Sequence, residues 1–358
     1  MINKELSSKV LTVGLQYRNH RGGIGGVIDG YSSYFEEFNF ICTYGITTSK
    51  IKIVLNYIRS VIQLFIDLLK NKHIKIVHIH GAAKGSVFRK YFIFNISKRI
   101  FNKKVIFHSH ASEMEVFYHG SPRLVKWLCR DFFGHVDLII CLSNSWKVFY
   151  ETNFDCKRVE ILENIVPEPT FKKSVIPSAP LRLLFLGRVG QRKGIFDLVN
   201  VLAEYKADFD GKIHLTIGGD GEGSKLEKII SEQELSGLIE YKGWISGAKK
   251  ESLLRNCDIY ILPSYNEGLP ISILEAMSYG LVIVSTKVGG TPEIVADKQN
   301  GYLFDPGDKT AILRILQDLL NDGGLFEEYR AKSYDVVRNY YPSNVIPKLE
   351  KIYESLTY

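Results

Sequence analysis

The chain has 358 residues, 45% of them hydrophobic and 24% charged; at about 100 to 200 residues per domain this is a two-domain length, and the balance excludes a disordered or fibrous protein. The net charge of +7 is unevenly spread, with 25 Lys/Arg against 14 Asp/Glu over residues 1–180, giving +11, and 21 against 25 over 181–358, giving −4. Five scattered cysteines (Cys42, Cys129, Cys141, Cys156, Cys257) without a CxxC pair give neither a disulfide framework nor a cysteine zinc site, which fits a reducing cytoplasm.

The N-terminus opens with Asn3, Lys4 and Glu5 and has no apolar core before its first strand, so no secretory signal is expected. Short β-branched runs then alternate with helix-length amphipathic segments, the pattern of parallel sheets covered by helices. The first half predicts strands at Val10–Val13, Phe40–Tyr44, Ile74–His78, Val105–His108 and Leu138–Cys141. After the first of them comes Arg21-Gly22-Gly23-Ile24-Gly25-Gly26, ahead of a helical pattern. Glycines let a ligand approach the backbone, and a helix start offers N–H groups to an anion; the alternative is a turn needed only for tight helix–sheet packing. The third small residue of a dinucleotide fingerprint would fall on Ile28, and no acidic residue follows the second strand, so an NAD site is not expected.

The apolar stretch Ile51–Leu69 is broken by Lys52, Arg59 and Asp67 and reads as an amphipathic helix rather than a membrane span. Residues Lys84–Lys104 mix Arg89, Lys90, Lys98, Arg99, Lys103 and Lys104 with Phe88, Tyr91, Phe92, Phe94 and Phe101, which suits an anionic membrane or a solvated covering helix. Two HxH pairs, His78/His80 and His108/His110, invite a zinc reading. Each pair is expected to present one ring to a site unless its strand has ended, and no Cys or acidic cluster completes the set, so no metal is expected.

Pro167–Pro180 holds four prolines and reads as a linker between domains. Strands resume at Leu181–Leu186, Ile213–Ile217, Ile239–Tyr241, Ile259–Leu262 and Val282–Ser285. Ligands of open parallel sheets bind beyond the strands' carboxyl ends. There stand Arg188 and Lys193, two cations on one turn that would suit a diphosphate, or else two solvated surface charges. Pro263-Ser264-Tyr265-Asn266-Glu267-Gly268-Leu269-Pro270 runs into a helix that closes at Gly280, bracketed by Pro at its start and Gly past its end. Glu267 ahead of that helix can accept from sugar hydroxyls and Glu275 within it can hold a ribose; the plain alternative for a Glu there is dipole complementarity, worth about 0.3–1 kcal/mol. Asp208-Phe209-Asp210 lies at the opposite sheet end and reads as a solvated loop. After Pro342 a last amphipathic stretch carries Val345, Ile346, Leu349, Ile352, Tyr353 and Leu356 on one side.

The run Glu267–Glu275, with Gly187-Arg188, Lys193-Gly194, Gly218-Gly219-Asp220-Gly221, Gly243-Trp244 and Gly289-Gly290-Thr291-Pro292-Glu293, resembles the group 1 glycosyltransferases of the retaining GT4 family. The resemblance implies the GT-B fold: an acceptor-binding Rossmann-like domain over 1–170, a nucleotide-sugar-binding one over 180–340 facing it across a cleft, and a C-terminal helix over 341–358 that crosses back and packs across both. It implies donor-sugar contact by Glu267, ribose contact by Glu275, diphosphate contact by Arg188 and Lys193, and the amides of Gly268 and Leu269 near sugar and phosphate. Gly22 and Gly23 match the family's phosphate- and acceptor-contacting loop, and His110 matches a histidine near the reaction centre, with His108 its rival. Glu267, His110, Arg188 and Lys193 are thus the expected catalytic set.

The resemblance further implies front-face substitution without a metal or other cofactor, with a UDP-sugar as the expected donor. The expected acceptor is a saccharide, lipid-linked in a surface-polysaccharide pathway, at the inner face of the membrane, with no nucleic-acid partner. A nucleotide-sugar 2-epimerase of the same architecture, or a non-catalytic partner subunit of a transferase complex, are the competing readings.

Overall fold

The computed structural model describes residues 1–18, 23–45, 49–110, 112–171, 173, 177 and 179–357, which form two compact units, Met1–Ile165 with Pro342–Tyr358, and Val166–Tyr341. The first is built on β1 (Val10–Leu15), β2 (Asn39–Tyr44), β3 (Ile76–Gly81), β4 (Lys104–Ser109), β5 (Leu138–Cys141) and β6 (Val159–Ile161), in the order β2-β1-β3-β4-β5-β6. The second is built on β7 (Leu181–Leu186), β8 (Ile213–Gly218), β9 (Ile239–Tyr241), β10 (Ile259–Leu262), β11 (Val282–Thr286) and β12 (Gly301–Phe304), in the order β12-β11-β10-β7-β8-β9. Every recorded strand pairing is parallel.

Parallel strands need helical crossovers, which cover both sheet faces and demand near-continuous apolar strands; β3, β5, β10 and β11 are accordingly buried along their whole length. Chain order reverses at β1/β3 in the first sheet and at β7/β10 in the second, and such switch points open a crevice at the strands' carboxyl ends. The ten expected strands all form. β3 starts and ends later than expected, so both His78 and His80 lie inside it. The short outermost strands β6 and β12 were not foreseen.

Helix Pro342–Thr357 buries Val345, Ile346, Leu349, Ile352 and Tyr353, five of the six residues of the expected stripe. It belongs to the first unit, where the Tyr353 ring lies 6.0 Å from that of Phe35 and Lys348 pairs with Glu163 at 2.8 Å. The proline-rich stretch read as a linker falls inside the second unit. Its Lys173 is buried, with Nζ 2.7 Å from Asp258 Oδ1 and the backbone N–H donating to the Tyr334 hydroxyl at 3.0 Å, so the chain is tied to the second unit at that residue.

Candidate active site

The second sheet's switch point gathers the motif residues. After β7 the chain turns through a 3-10 helix, Gln191–Lys193, to Gly194, whose φ of +66° is left-handed and where a Cβ would stand 1.8 Å from the Pro263 carbonyl oxygen. Only glycine fits there, and this close approach of the β7 and β10 loops brings Lys193 Nζ to 2.5 Å from Glu267 Oε1. Ser264 Oγ donates to the same oxygen at 2.6 Å, while Oε2 has no hydrogen bond among the described residues. Both side chains of the ion pair are largely buried, 15% exposed for Lys193 and 8% for Glu267.

Two further contacts stiffen the motif. Thr286 Oγ1 donates to the Ser264 carbonyl at 2.6 Å, and the Gly290 amide donates to the Gly268 carbonyl at 2.6 Å. Helix Ile271–Ser278 follows directly, with Pro270 at its N-cap and buried Leu269 before it.

Among the described residues, neither Arg188 nor Glu275 has a recorded bond to this pair. Arg188 follows β7 but is exposed, with no recorded ion pair, its Cγ lying 3.0 Å from the Cβ position of Gly221. Glu275 is paired with Lys250 at 2.6 Å, a partner 25 residues away that the sequence gives no reason to choose. Ser264 was missed, although it lies three residues before Glu267 in the same motif.

In the first unit Gly22 falls outside the described residues, and Gly23 begins helix Gly23–Ser32. A Cβ on Gly23 would meet nothing within 4 Å, so local packing does not require glycine there. The histidines are not presented one per pair as expected: residues i and i+2 of a strand share a face. Rings of His78 and His80 stack at 4.5 Å, and His108 and His110 at 4.3 Å. His110 lies just beyond β4, its amide donating to the Gly81 carbonyl at 2.9 Å, and its Nε2 is 2.9 Å from His80 Nδ1. His78 Nδ1 meets the Tyr353 hydroxyl at 2.7 Å and its Nε2 meets His108 Nδ1 at 3.3 Å. His80 is therefore an unforeseen neighbour of the expected catalytic histidine, and Tyr353 an unforeseen partner of His78.

Nitrogens of His78, His80 and His108 lie within 4.8 Å of one another, a spacing a metal ion could use. Imidazole-to-imidazole and imidazole-to-phenol bonds already engage most of these nitrogens, and among the described residues no carboxylate or thiol joins the set to balance a buried divalent charge.

Burial pulls His78 and His110 down to about 3 and His80 and His108 well below the usual imidazole value, so the cluster is neutral at pH 7. The folded pKa values lie below the unfolded ones. The unfolded chain then binds more protons below about 6.5, and stability falls as pH drops from there toward 3. For His78 and His110 the expected loss is about 1 kcal/mol each over the first pH unit below 6.5. Urea unfolding at pH 7.0 and 5.5 checks this, and a His78→Phe variant should show a shallower pH slope than the parent chain.

The fold class is the doubly wound α/β protein with its ligand crevice at a switch point. Residues 167–336 match the family described as glycosyl transferases group 1. The gpi3 subunit of the phosphatidylinositol N-acetylglucosaminyltransferase of Schizosaccharomyces pombe is 23% identical over 359 aligned positions, covering 98% of this chain and 75% of that protein. Two solved structures superpose on almost the whole chain. Anabaena HepE in complex with UDP gives a TM-score of 0.76 at 16% identity over 98% of this chain and 99% of that one. WaaG, a glycosyltransferase involved in lipopolysaccharide biosynthesis, gives 0.71 at 15% identity over 96% and 99%. The family match is confined to residues 167–336 of the second unit, and the chain has the GT-B fold.

Proposed function

We propose that the chain is a retaining transferase that moves a hexose or N-acetylhexosamine from a nucleotide diphosphate sugar, UDP-linked, to a lipid-linked saccharide acceptor in surface-polysaccharide synthesis at the inner face of the membrane. The observation that carries this reading is the buried Lys193–Glu267 pair at the β7/β10 switch point, ahead of helix Ile271–Ser278. A cation and a helix N-terminus stabilise the negative charge that grows on a departing diphosphate, and the Glu267 oxygen left without a hydrogen bond suits a donor-sugar hydroxyl. Arg188 would add a second charge to the diphosphate and Glu275 would take the ribose. Gly22, Gly23, Gly268 and Leu269 would offer backbone groups, and His110 would stand by the reacting sugar.

In the proposed reaction the acceptor oxygen bonds to the anomeric carbon on the face the diphosphate leaves. The carbon–oxygen bond to the diphosphate breaks, and the acceptor proton passes to the leaving phosphate oxygen. No step calls for a metal ion or other cofactor. The UDP complex of HepE and the lipid acceptor in the name of the gpi3 relative support the donor and acceptor classes.

A thermal-shift panel of nucleotide diphosphate sugars tests the donor, with about 2.7 kcal/mol of stabilisation expected at a hundredfold excess over Kd. Proton NMR of the first-formed glycoside tests the stereochemistry, which should match the α or β configuration of the donor. Inverted product, or an isomerised sugar formed from donor alone, would overturn the reading.

A further inference from the structure

Helix Lys50–Lys70 of the first unit has three faces. Ser60, Leu64 and Leu68 are buried, and Ser60 Oγ donates to the Cys42 carbonyl of β2 at 2.7 Å. A second face is open and apolar: Ile51, Leu55, Ile58, Ile62 and Leu69 are 74, 49, 48, 54 and 60% exposed. At 100° per residue they fall within about 60° of one another around the axis, in a stripe about 27 Å long. Lys52, Arg59 and Lys70 line one edge of that stripe, about 80 to 100° round from Ile51. They are exposed and in no recorded ion pair. The helix's one acidic residue, Asp67, is taken up by the Gln63 amide at 2.7 Å.

The adjoining segment extends the surface. Tyr57 donates to the Arg89 carbonyl at 2.8 Å and Phe65 packs on Phe101 at 5.0 Å; beside these contacts Phe92 and Ile100 are 59 and 62% exposed. Most cations of Lys84–Lys104, by contrast, are engaged within the unit. Lys98 pairs with Asp137 at 2.7 Å and Arg99 with Asp131 at 2.8 Å, and Lys103 donates to the Ile74 carbonyl at 2.6 Å. Lys90 is buried with its Nζ 2.5 Å from Thr43 Oγ1.

A solvated helix does not keep a continuous stripe of large aliphatic side chains in water. We infer that Lys50–Lys70 is an interfacial anchor that lies flat on an anionic bilayer, its stripe at the acyl boundary and its cationic edge among the phosphates. Lipid headgroups supply the anions this edge lacks, whereas a second copy of the chain brings only more cations to it. The inference rests on and deepens the lipid-linked acceptor reading, since an anchored first unit meets an acceptor held in the same membrane. Among the described residues no helix is long and apolar enough to cross a bilayer.

The test is flotation of the full chain with vesicles of phosphatidylcholine alone or with phosphatidylglycerol. The chain should float with the anionic vesicles and dissociate as salt rises. The double substitution Ile58→Glu/Ile62→Glu should lower binding at least about tenfold, with unchanged circular dichroism because both side chains are exposed. Lys52→Glu/Arg59→Glu should remove the preference for anionic lipid. No binding by the parent chain, or equal binding by the Ile58/Ile62 variant, overturns the inference. So does a dimer in light scattering that this variant converts to a monomer while vesicles stay unbound. Turnover on a water-soluble acceptor separates the two ideas: its absence in a chain that floats strikes the proposed function and leaves the anchor standing.

Discussion

Replacing Lys193 by alanine is expected to lower kcat by about a hundred- to a thousandfold, the usual cost of one preorganised group that stabilises a leaving charge. The effect is large because Lys193 does two jobs at one point. Its ammonium is the cation fixed beside helix Ile271–Ser278, and it holds Glu267 Oε1 at 2.5 Å. Without it the carboxylate keeps only the Ser264 hydroxyl at 2.6 Å and carries an unbalanced charge. Glu267→Gln should keep the Ser264 contact and lose the charge. The Lys193→Ala/Glu267→Gln pair should therefore fall short of additivity, as expected for residues that act as a unit. Steady-state kinetics with a saturating donor decide the matter; a change of less than about threefold in kcat for Lys193→Ala would remove the pair from the chemistry.

Asp258→Ala is expected to destabilise the second unit by about 3–5 kcal/mol, the cost of breaking a buried ion pair on one side. Asp258 is 1% exposed and Lys173 7%. Its Oδ1 accepts from Lys173 Nζ at 2.7 Å, and its Oδ2 accepts from the Arg182 backbone N–H at 3.0 Å. Lys173 Nζ also donates to the Cys257 carbonyl. Truncating the acid leaves an ammonium among apolar strands with one neutral partner. Arg182→Ala should cost little, because that side chain is half exposed and its Nε is 3.4 Å from Asp258. Urea unfolding of the full chain measures both, and equal losses for the two variants would show that the buried lysine is not what Asp258 secures.

The fold was readable because fully buried parallel strands are written as short β-branched runs. The first sheet's Leu138–Cys141 and the second's Ile259–Leu262 have the same bounds in the chain as in the sheet. Val159–Ile161 and Gly301–Phe304 escaped notice because they are three- and four-residue outermost strands, one opening on a glycine. Ile76–Gly81 was set two residues early because its histidines look like a strand end, although they are buried within it.

The positions of Lys193 and Glu267 after β7 and β10 were legible, since that is where such sheets bind ligands, whereas their ion pair was not, the sequence having set Lys193 beside Arg188. What the chain could not reveal was the set of long-range partners. Asp131 and Asp137, 32 and 39 residues from Arg99 and Lys98, neutralise those cations. Lys250, 25 residues before Glu275, occupies that carboxylate. Pairings of this range depend on which helices the sheet brings side by side.

The first unit is discontinuous: Met1–Ile165 is joined by Pro342–Tyr358 only after 176 intervening residues have been made. During synthesis, Phe35 and His78 must wait for the ring and hydroxyl of Tyr353, so the half of the molecule translated first is the half completed last. A nascent chain halted between Tyr341 and Val345 would carry an uncovered patch on its first unit, a substrate for chaperones while the second unit already stands finished.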